Sequence, residues 1–416
     1  MIHRDDDIKV VAYRISSELG ELETKTYRVK SSEGEIWDSG RTFYEGTKPL
    51  ERFKSNRYME LALECSVESS CRRSAARLNR VRNEKEGVGA TTYRNTIERE
   101  GQKIQAKIEE KVDKILSENG ISEDGKDIDC SKIKREEIKH IEENIVEEAA
   151  KEIKISEYKA SDYESKETSV NISIDEVVVN RQSETRPTNE KSKQKKRVDN
   201  AVIQVQNENG RYILNSMSVT GAIKQLIGFL VSNGQMWREI VIFADGARSI
   251  NSAVKETLGY ARYKIIMDWY HLGKKCRGEL SMGLRGREVR NEIAGEMMGK
   301  LWRGDVEGAL LVLGSIEAGK IKDGTKITDL REYLGRIREH VPCYALRKKL
   351  GLRNSSNQGE KANDLIVSKR QKRNGMSWSD DGSFAFASVA AASFNGELQN
   401  WLCNRDLSFK LLPFSA

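Results

Sequence analysis

The stretch NISIDEVVVN, Asn171 to Asn180, decides how the chain reads from there onward. Ile172, Ile174, Val177, Val178 and Val179 are β-branched, so the segment is a strand. Asp175 and Glu176 interrupt it, and strands are poor in acids. Successive strand residues point to opposite faces of a sheet, so each face receives one of the two carboxylates. A carboxylate held inside a sheet is costly and calls for a partner that offsets the cost.

Outward from this strand the order of elements is legible. A polar, basic loop, RQSETRPTNEKSKQKKR, comes next. DNAVIQVQNENGRYILNSMS is a hairpin, two alternating runs about a turn that ends in Asn209-Gly210. VTGAIKQLIGFLVSNG is a helix with Ile223, Leu226, Ile227 and Leu230 on one side. REIVIFADGA is a continuous apolar strand, buried on both faces, that stops at Asp245-Gly246. A helix, ARSINSAVKETLG, and another buried strand, YKIIMDWYHL, complete a β-β-β-α-β-α-β series.

That series predicts an α/β fold with an RNase H-like mixed sheet, three antiparallel strands followed by two parallel ones with helical crossovers. In such a sheet the first and fourth strands are neighbours. Asp175, mid-way along the first, and Asp245, at the end of the fourth, then converge, and Gly246 lets the backbone turn sharply beside them. Hard divalent cations take carboxylate oxygens and leave room for phosphate. Two such ions about 4 Å apart serve both oxygens of one phosphodiester displacement.

A third acid is expected on a helix beyond the sheet. In LRNSSNQGEKANDLIVSKRQKRNGMSWS, Ser355, Ser356 and Asn357 are capping residues and Glu360 falls in the first helical turn. Asp364, one turn later on the same face, is the competing choice. Lys369, Arg370, Lys372 and Arg373 follow as a basic cluster suited to phosphate.

The segments FADGARSI, IIMDWYHLGKKC and SSNQGEKANDLIVSKRQKRNGMSWSDDGS resemble those of DDE transposases of bacterial insertion sequences related to the Mutator class. The resemblance covers roughly 170–400 and is most specific in its final third. It implies a metal-binding catalytic triad of Asp175, Asp245 and Glu360, with Asp268 and His271 matching a D-x-x-H pair. It also implies two Mg²⁺ ions, with Mn²⁺ as a substitute, and double-stranded DNA as partner, both terminal inverted repeats and target. A homo-oligomer on DNA is expected as well. Arg248 in FADGARSI joins the basic cluster as a candidate DNA contact. The interval from Asp245 to Glu360 exceeds what the minimal fold needs, so 276–350 reads as an all-helical insertion, which the family is known for. Trp302 lies in it, and core packing is favoured there over stacking on a base. A hydrolytic nuclease of the same fold, and a DNA-binding protein with a decayed site, are the rival readings.

Ahead of the strand, 1–55 holds short strand-like pieces without an assigned role. A mainly helical DNA-binding region is expected over 56–160. Within it RYMELALECSV and SCRRSAARLNRVRN are helices, and ATTYRNTIEREG a third, with Thr91 or Thr92 as N-cap and Gly101 as C-cap. This suits a helix-turn-helix whose third helix shows Tyr93 and Arg94 to DNA, or an ordinary helical hairpin. Two amphipathic helices follow, with Ile104, Ile108, Val112 and Ile115 on one face, and Ile138, Ile141, Ile145 and Ala149 on another. The catalytic core is then expected over 168–275 and 351–416.

Composition agrees with a polyanion partner. Net charge is +7, and residues 246–416 carry 29 Lys and Arg against 19 Asp and Glu. The six cysteines are scattered without a CxxC pair, which favours buried thiols over zinc. No apolar run is long enough for a membrane span, and MIHRDDDIKVVAY lacks a secretory core. A cytoplasmic, nucleoid-associated protein is the expectation.

Overall fold

The structure is a computed structural model that describes residues 7–30, 36–38, 53–85, 87–129, 141–182, 196–372 and 376–414. Arg373, Cys130, Ile138, the loop 183–195 and the side chain of Glu360 lie outside the described residues. The chain divides into two compact units, one of 1–105 with 381–408 and one of 106–380 with 409–416.

In the first unit β1 (Asp7–Ser17) and β2 (Gly20–Lys30) form a hairpin, turned at Gly20 with φ +117°. Strand β3 (Ile36–Asp38) pairs with β2, and β4 (Phe53–Lys54) runs parallel to β1, giving the order β3-β2-β1-β4. Three helices follow: α1 (Asn56–Glu68), α2 (Cys71–Val81) and α3 (Ala90–Glu118). Serines cap the first two, Ser55 accepting from the Tyr58 N–H and Ser70 from the Arg73 N–H. Leu63, Leu78, Tyr93 and Ile97 are at most 1% exposed and form the packing seam.

Gly101 does not end a helix, because α3 runs through it. A Cβ there would clash with the Ala385 carbonyl oxygen of the helix Asp380–Phe394, so glycine permits a close helix crossing. The last 13 residues of α3, from 106 on, belong to the second unit, where Gly228 packs on Val112.

In the second unit α4 (Glu143–Glu152) buries Val146, Ala149 and Ala150, whereas Ile145, expected on the apolar face, is 48% exposed. Ala149 and, partly, Ile141 are buried as expected, and Val146 and Ala150 take the place of Ile145 on that face. The sheet comprises β5 (Ser169–Asn180), β6 (Arg197–Gln206), β7 (Arg211–Ser216), β8 (Glu239–Ala244) and β9 (Tyr263–Met267). Its order is β7-β6-β5-β8-β9, with β5, β6 and β7 antiparallel and β5, β8 and β9 parallel. Crossovers are α5 (Val219–Ser232) and α6 (Arg248–Thr257). The fold is thus mixed α/β around a mixed five-stranded sheet. All six residues of β8 are buried, as a strand covered on both faces must be.

Five helices stand between β9 and the last part of the sheet unit. They are α7 (Trp269–Gly283), α8 (Arg287–Trp302), α9 (Val306–Gly314), α10 (Gly324–Ile337) and α11 (Tyr344–Lys349). The helical segment begins at Trp269, seven residues before the expected 276. It shares one hydrophobic core with the sheet: Val241, Phe243, Ile266 and Met267 pack with Leu272, Leu280, Leu301, Leu330 and Leu334. Trp302 belongs to this packing, edge-on to Trp269 at 4.8 Å and stacked near Tyr344 at 5.9 Å. Among the described residues no helix is long and apolar enough to cross a membrane.

Candidate functional site

Strand β5 resolves the puzzle of its two acids. Burial follows the even positions through Val170, Ile172 and Ile174, then passes to the odd ones at Val177 and Val179. Register with β6 is unbroken across the change, Asp175 opposite Val202 and Glu176 opposite Ala201, so no bulge is responsible. Glu176 is exposed and accepts from Ser249 Oγ of α6 at 3.0 Å. On the other face Asp175 is half-buried and accepts from Asn363 Nδ2.

Asp245 reaches the same place by a different route. Its Oδ1 accepts from the Ala247 N–H at 2.8 Å, and Gly246 takes φ +85° to close the turn. The parallel ladder pairs Ser173 with Phe243, and Asp175 and Asp245 each stand two residues further on. Burial pushes the Asp175 carboxyl above the usual carboxylate range, and the charge of Asp245 pushes it further. His271 and the Asn363 hydrogen bond act in the opposite sense. Asp175 therefore feels Asp245, His271 and Asn363 at one end of the sheet.

A cleft of about 920 Å³ opens there. Asp245, Arg248 and His271 line it, with Lys274, Lys275 and Tyr333 from α7 and α10. Arg248, the first residue of α6, is exposed. Glu279, Asp329 and Glu332 line it as well, and Lys275 donates to Glu279 at 2.7 Å, so the cleft mixes cations and acids beside Asp245.

Asp268 has a different position from the one its neighbour His271 holds. It is 1% exposed and caps α7, with Oδ1 accepting from the N–H groups of Tyr270 at 2.7 Å and His271 at 3.0 Å. Its Oδ2 accepts from the Ser356 hydroxyl at 2.6 Å and from the Ser356 N–H. The carboxylate is saturated by hydrogen bonds and joins α7 to the segment that enters α12 (Asn357–Asn363). Farther back in that segment, Arg347 is fully buried and donates to Glu164 at 2.5 and 2.8 Å and to the Arg353 carbonyl at 3.0 Å. Burial draws the Glu164 carboxyl upward, but the Arg347 fork and Lys264 outweigh it and leave it below the usual range.

Helix α12 rests directly on β5. A Cβ on Gly359 would lie 2.5 Å from Ser173 Cβ, so only glycine allows this approach. Asn363, four residues on and therefore on the same helical face, meets Asp175. Glu360 follows Gly359 in this helix. Asp364 is half-buried and opens a π-helical segment, Asp364–Ser368, of the kind often found at functional sites. Asn363 was missed in the sequence, although its i, i+4 spacing from Gly359 places both on the strand-facing side.

The donor set suits a hard cation. Two carboxylates share one end of the sheet, and Asn363 Oδ1, in a side chain 6% exposed, has no hydrogen-bond partner among the described residues. Mg²⁺ accepts carboxylate and amide oxygens alike. No group of three His, Cys, Asp or Glu is gathered among the described residues, whose number excludes the Glu360 side chain.

Several expected DNA contacts are otherwise placed. Tyr93 is 1% exposed and donates its hydroxyl to the Ala62 carbonyl, so it is core rather than surface. Arg94 is exposed and lies 3.7 Å from Glu98 one turn on. Arg370 is buried over the Trp378 ring at 5.1 Å, because its stem and guanidinium cover that aromatic. Lys369 and Lys372 are exposed.

No curated protein matches the chain. The span 104–402, which takes in the five-stranded sheet, the helices after it and α12, matches an Uncharacterised protein family, UPF0236, and since the match covers well over half of the chain, the protein belongs to that family.

Proposed function

We propose that the chain is a DNA transposase of the DDE type with an RNase H-like catalytic core. The observation that carries this reading is the acid pair, Asp175 in β5 and Asp245 just past the end of the neighbouring parallel strand β8, close enough for the charge of Asp245 to act on Asp175. The sheet order, the cations of the adjoining cleft and the resemblance of 170–400 to Mutator-related transposases support it. Asp175, Asp245 and the acid of α12, Glu360, would hold two Mg²⁺ ions. When bound, these supply a nucleophile at neutral pH and Lewis acidity at the phosphorus.

The chain's own residues do the remaining work. Asp175 and Asp245 act as ligands and move no proton. Arg248, Lys274 and Lys275 hold the phosphates of the strand in the cleft. His271, at the first turn of α7, faces the same strand. Asp268 sets the spacing between α7 and α12. The reaction runs in two displacements. Water attacks the phosphorus at the element end and the bond to the 3′ oxygen breaks. The freed 3′-hydroxyl then attacks a target phosphodiester, forming one P–O bond as another breaks. Two ends must be joined in one event, so the protein works as a homo-oligomer on DNA, at the nucleoid.

Purified protein incubated with labelled fragments of both flanks of its gene and Mg²⁺ tests this. Nicked and joined products are expected, both lost in Asp245→Asn. Nicking without joining would indicate a hydrolytic nuclease, and no cleavage of any duplex would overturn the reading.

A further inference from the structure

In α1 and α2 the charges are segregated. Helix α1 carries Glu60, Glu64 and Glu68, with Arg57 as its one cation. Helix α2, CRRSAARLNRV, has four arginines and no acid. Its buried residues Ser74, Ala75 and Leu78 face the unit's interior, and Ser74 Oγ donates to the Cys65 carbonyl of α1 at 2.8 Å. Arg72, Ala76, Arg77, Arg80 and Arg73 are all exposed. At about 100° per residue the four arginines fall within an arc of about 140°, opposite the packed side, with Ala76 among them. That is a continuous cationic face with one small residue within it.

The two helices are joined by Ser69 and Ser70 alone, both extended, at φ −142° and −64°. The turn is pinned by the Ser69 and Ser74 hydroxyls at 2.9 Å. Arg77 has an ion pair with Glu68 at 3.1 Å, in which both partners are more than half exposed, so solvent leaves the arginine available. Helix α3 offers much less. Its start buries Tyr93 and Ile97, and its exposed Arg94 is matched by Glu98.

We propose that α2 is the helix that enters the major groove of double-stranded DNA, with Arg72, Arg73, Arg77 and Arg80 contacting guanine edges and phosphates, and α1 as its support. A helix followed by a short turn and a basic helix is the arrangement that inserts its second helix into the groove. Arginine forks suit guanine O6 and N7. This rests on the reading of the protein as one that acts on DNA, and moves sequence recognition from Tyr93 and Arg94 to α2.

The test is binding of full-length protein to fluorescein-labelled duplexes from the two gene flanks, across a salt series in EDTA. The double variant Arg72→Ala with Arg80→Ala should bind about 10- to 100-fold more weakly, with the salt slope reduced by about two, at an unchanged melting temperature. Arg94→Ala with Arg99→Ala should bind as wild type. Arg72→Lys with Arg80→Lys should keep the slope and lose preference for flank over scrambled duplex. Wild-type binding by the α2 double variant, or an equal loss in the α3 variant, overturns the assignment. Because EDTA removes any dependence on the acid pair, that outcome leaves the catalytic reading intact. Conversely, flank binding lost in the α2 variant but never followed by nicking in Mg²⁺ supports α2 and counts against catalysis.

Discussion

Asp175 lies within β5 and Asp245 in the turn just past the end of β8, each two residues beyond the Ser173–Phe243 pair of the parallel ladder. The offset of 70 residues that relates the strands is the offset between the acids. Burial raises the cost of ionising Asp175, and the charge of Asp245 adds to it. A cation is the proposed partner that would offset this cost.

Mg²⁺ should therefore raise the melting temperature of the wild-type chain. In EDTA, Asp245→Asn should melt at or above the wild type, because like-charge repulsion is gone, and added Mg²⁺ should no longer shift it. Differential scanning fluorimetry with and without Mg²⁺ reads this directly. An equal Mg²⁺ shift in both proteins would remove the acid pair from consideration as a cation site.

Gly359→Ala should push α12 away from β5, at a cost of about 1–3 kcal/mol in stability and most of any nicking activity. The added methyl meets Ser173 at 2.5 Å, so Ser173→Gly should restore both in the double variant. Failure of the second change to rescue the first would mean that the contact does not position α12.

Asp268→Asn keeps an acceptor for the α7 cap but presents an amide N–H₂ to the Ser356 N–H. Loss of one charged acceptor should cost about 1.5–3 kcal/mol. Hydrogen exchange should quicken at 354–357 more than within α7. Ser356→Ala, which removes the hydroxyl contact at 2.6 Å alone, should cost about 1 kcal/mol. Uniform exchange changes across the second unit would argue against a local joint.

Glu164→Gln breaks a buried bidentate pair with Arg347 and should destabilise by about 3–5 kcal/mol at pH 7. The sign of its pH dependence follows from the lowered carboxyl. A group whose folded pKa lies below its unfolded value, about 4.3 for glutamate, stabilises above that value and loses its contribution as pH falls through the folded one. The gap between wild type and Glu164→Gln in denaturant melts should stay constant from pH 7 to about 5 and narrow below about 4. A gap that widens on acidification would contradict the pairing.

Much of this was legible in the chain itself. Continuous apolar runs marked β8 and β9 as buried strands, and the Asn209-Gly210 turn marked the β6–β7 hairpin. The strand order that follows from them put Asp175 beside Asp245, because parallel neighbours with short crossovers have few arrangements. Periodicity reports which side of an element is apolar, and it needs no partner to do so.

What only the tertiary structure decided are contacts between residues remote in sequence. Tyr93 is buried because its hydroxyl finds the Ala62 carbonyl 31 residues away, and Gly101 serves a helix crossing at Ala385 rather than a helix end. Arg370 looks like a phosphate contact until Trp378 lies under it. Asp268 accepts from Ser356, 88 residues away, and Asn363 meets Asp175 only because Gly359 lets α12 settle on β5. Local patterns specify elements, whereas the cost of leaving a buried polar group unpaired selects its partner, and that partner is found only once the elements have packed.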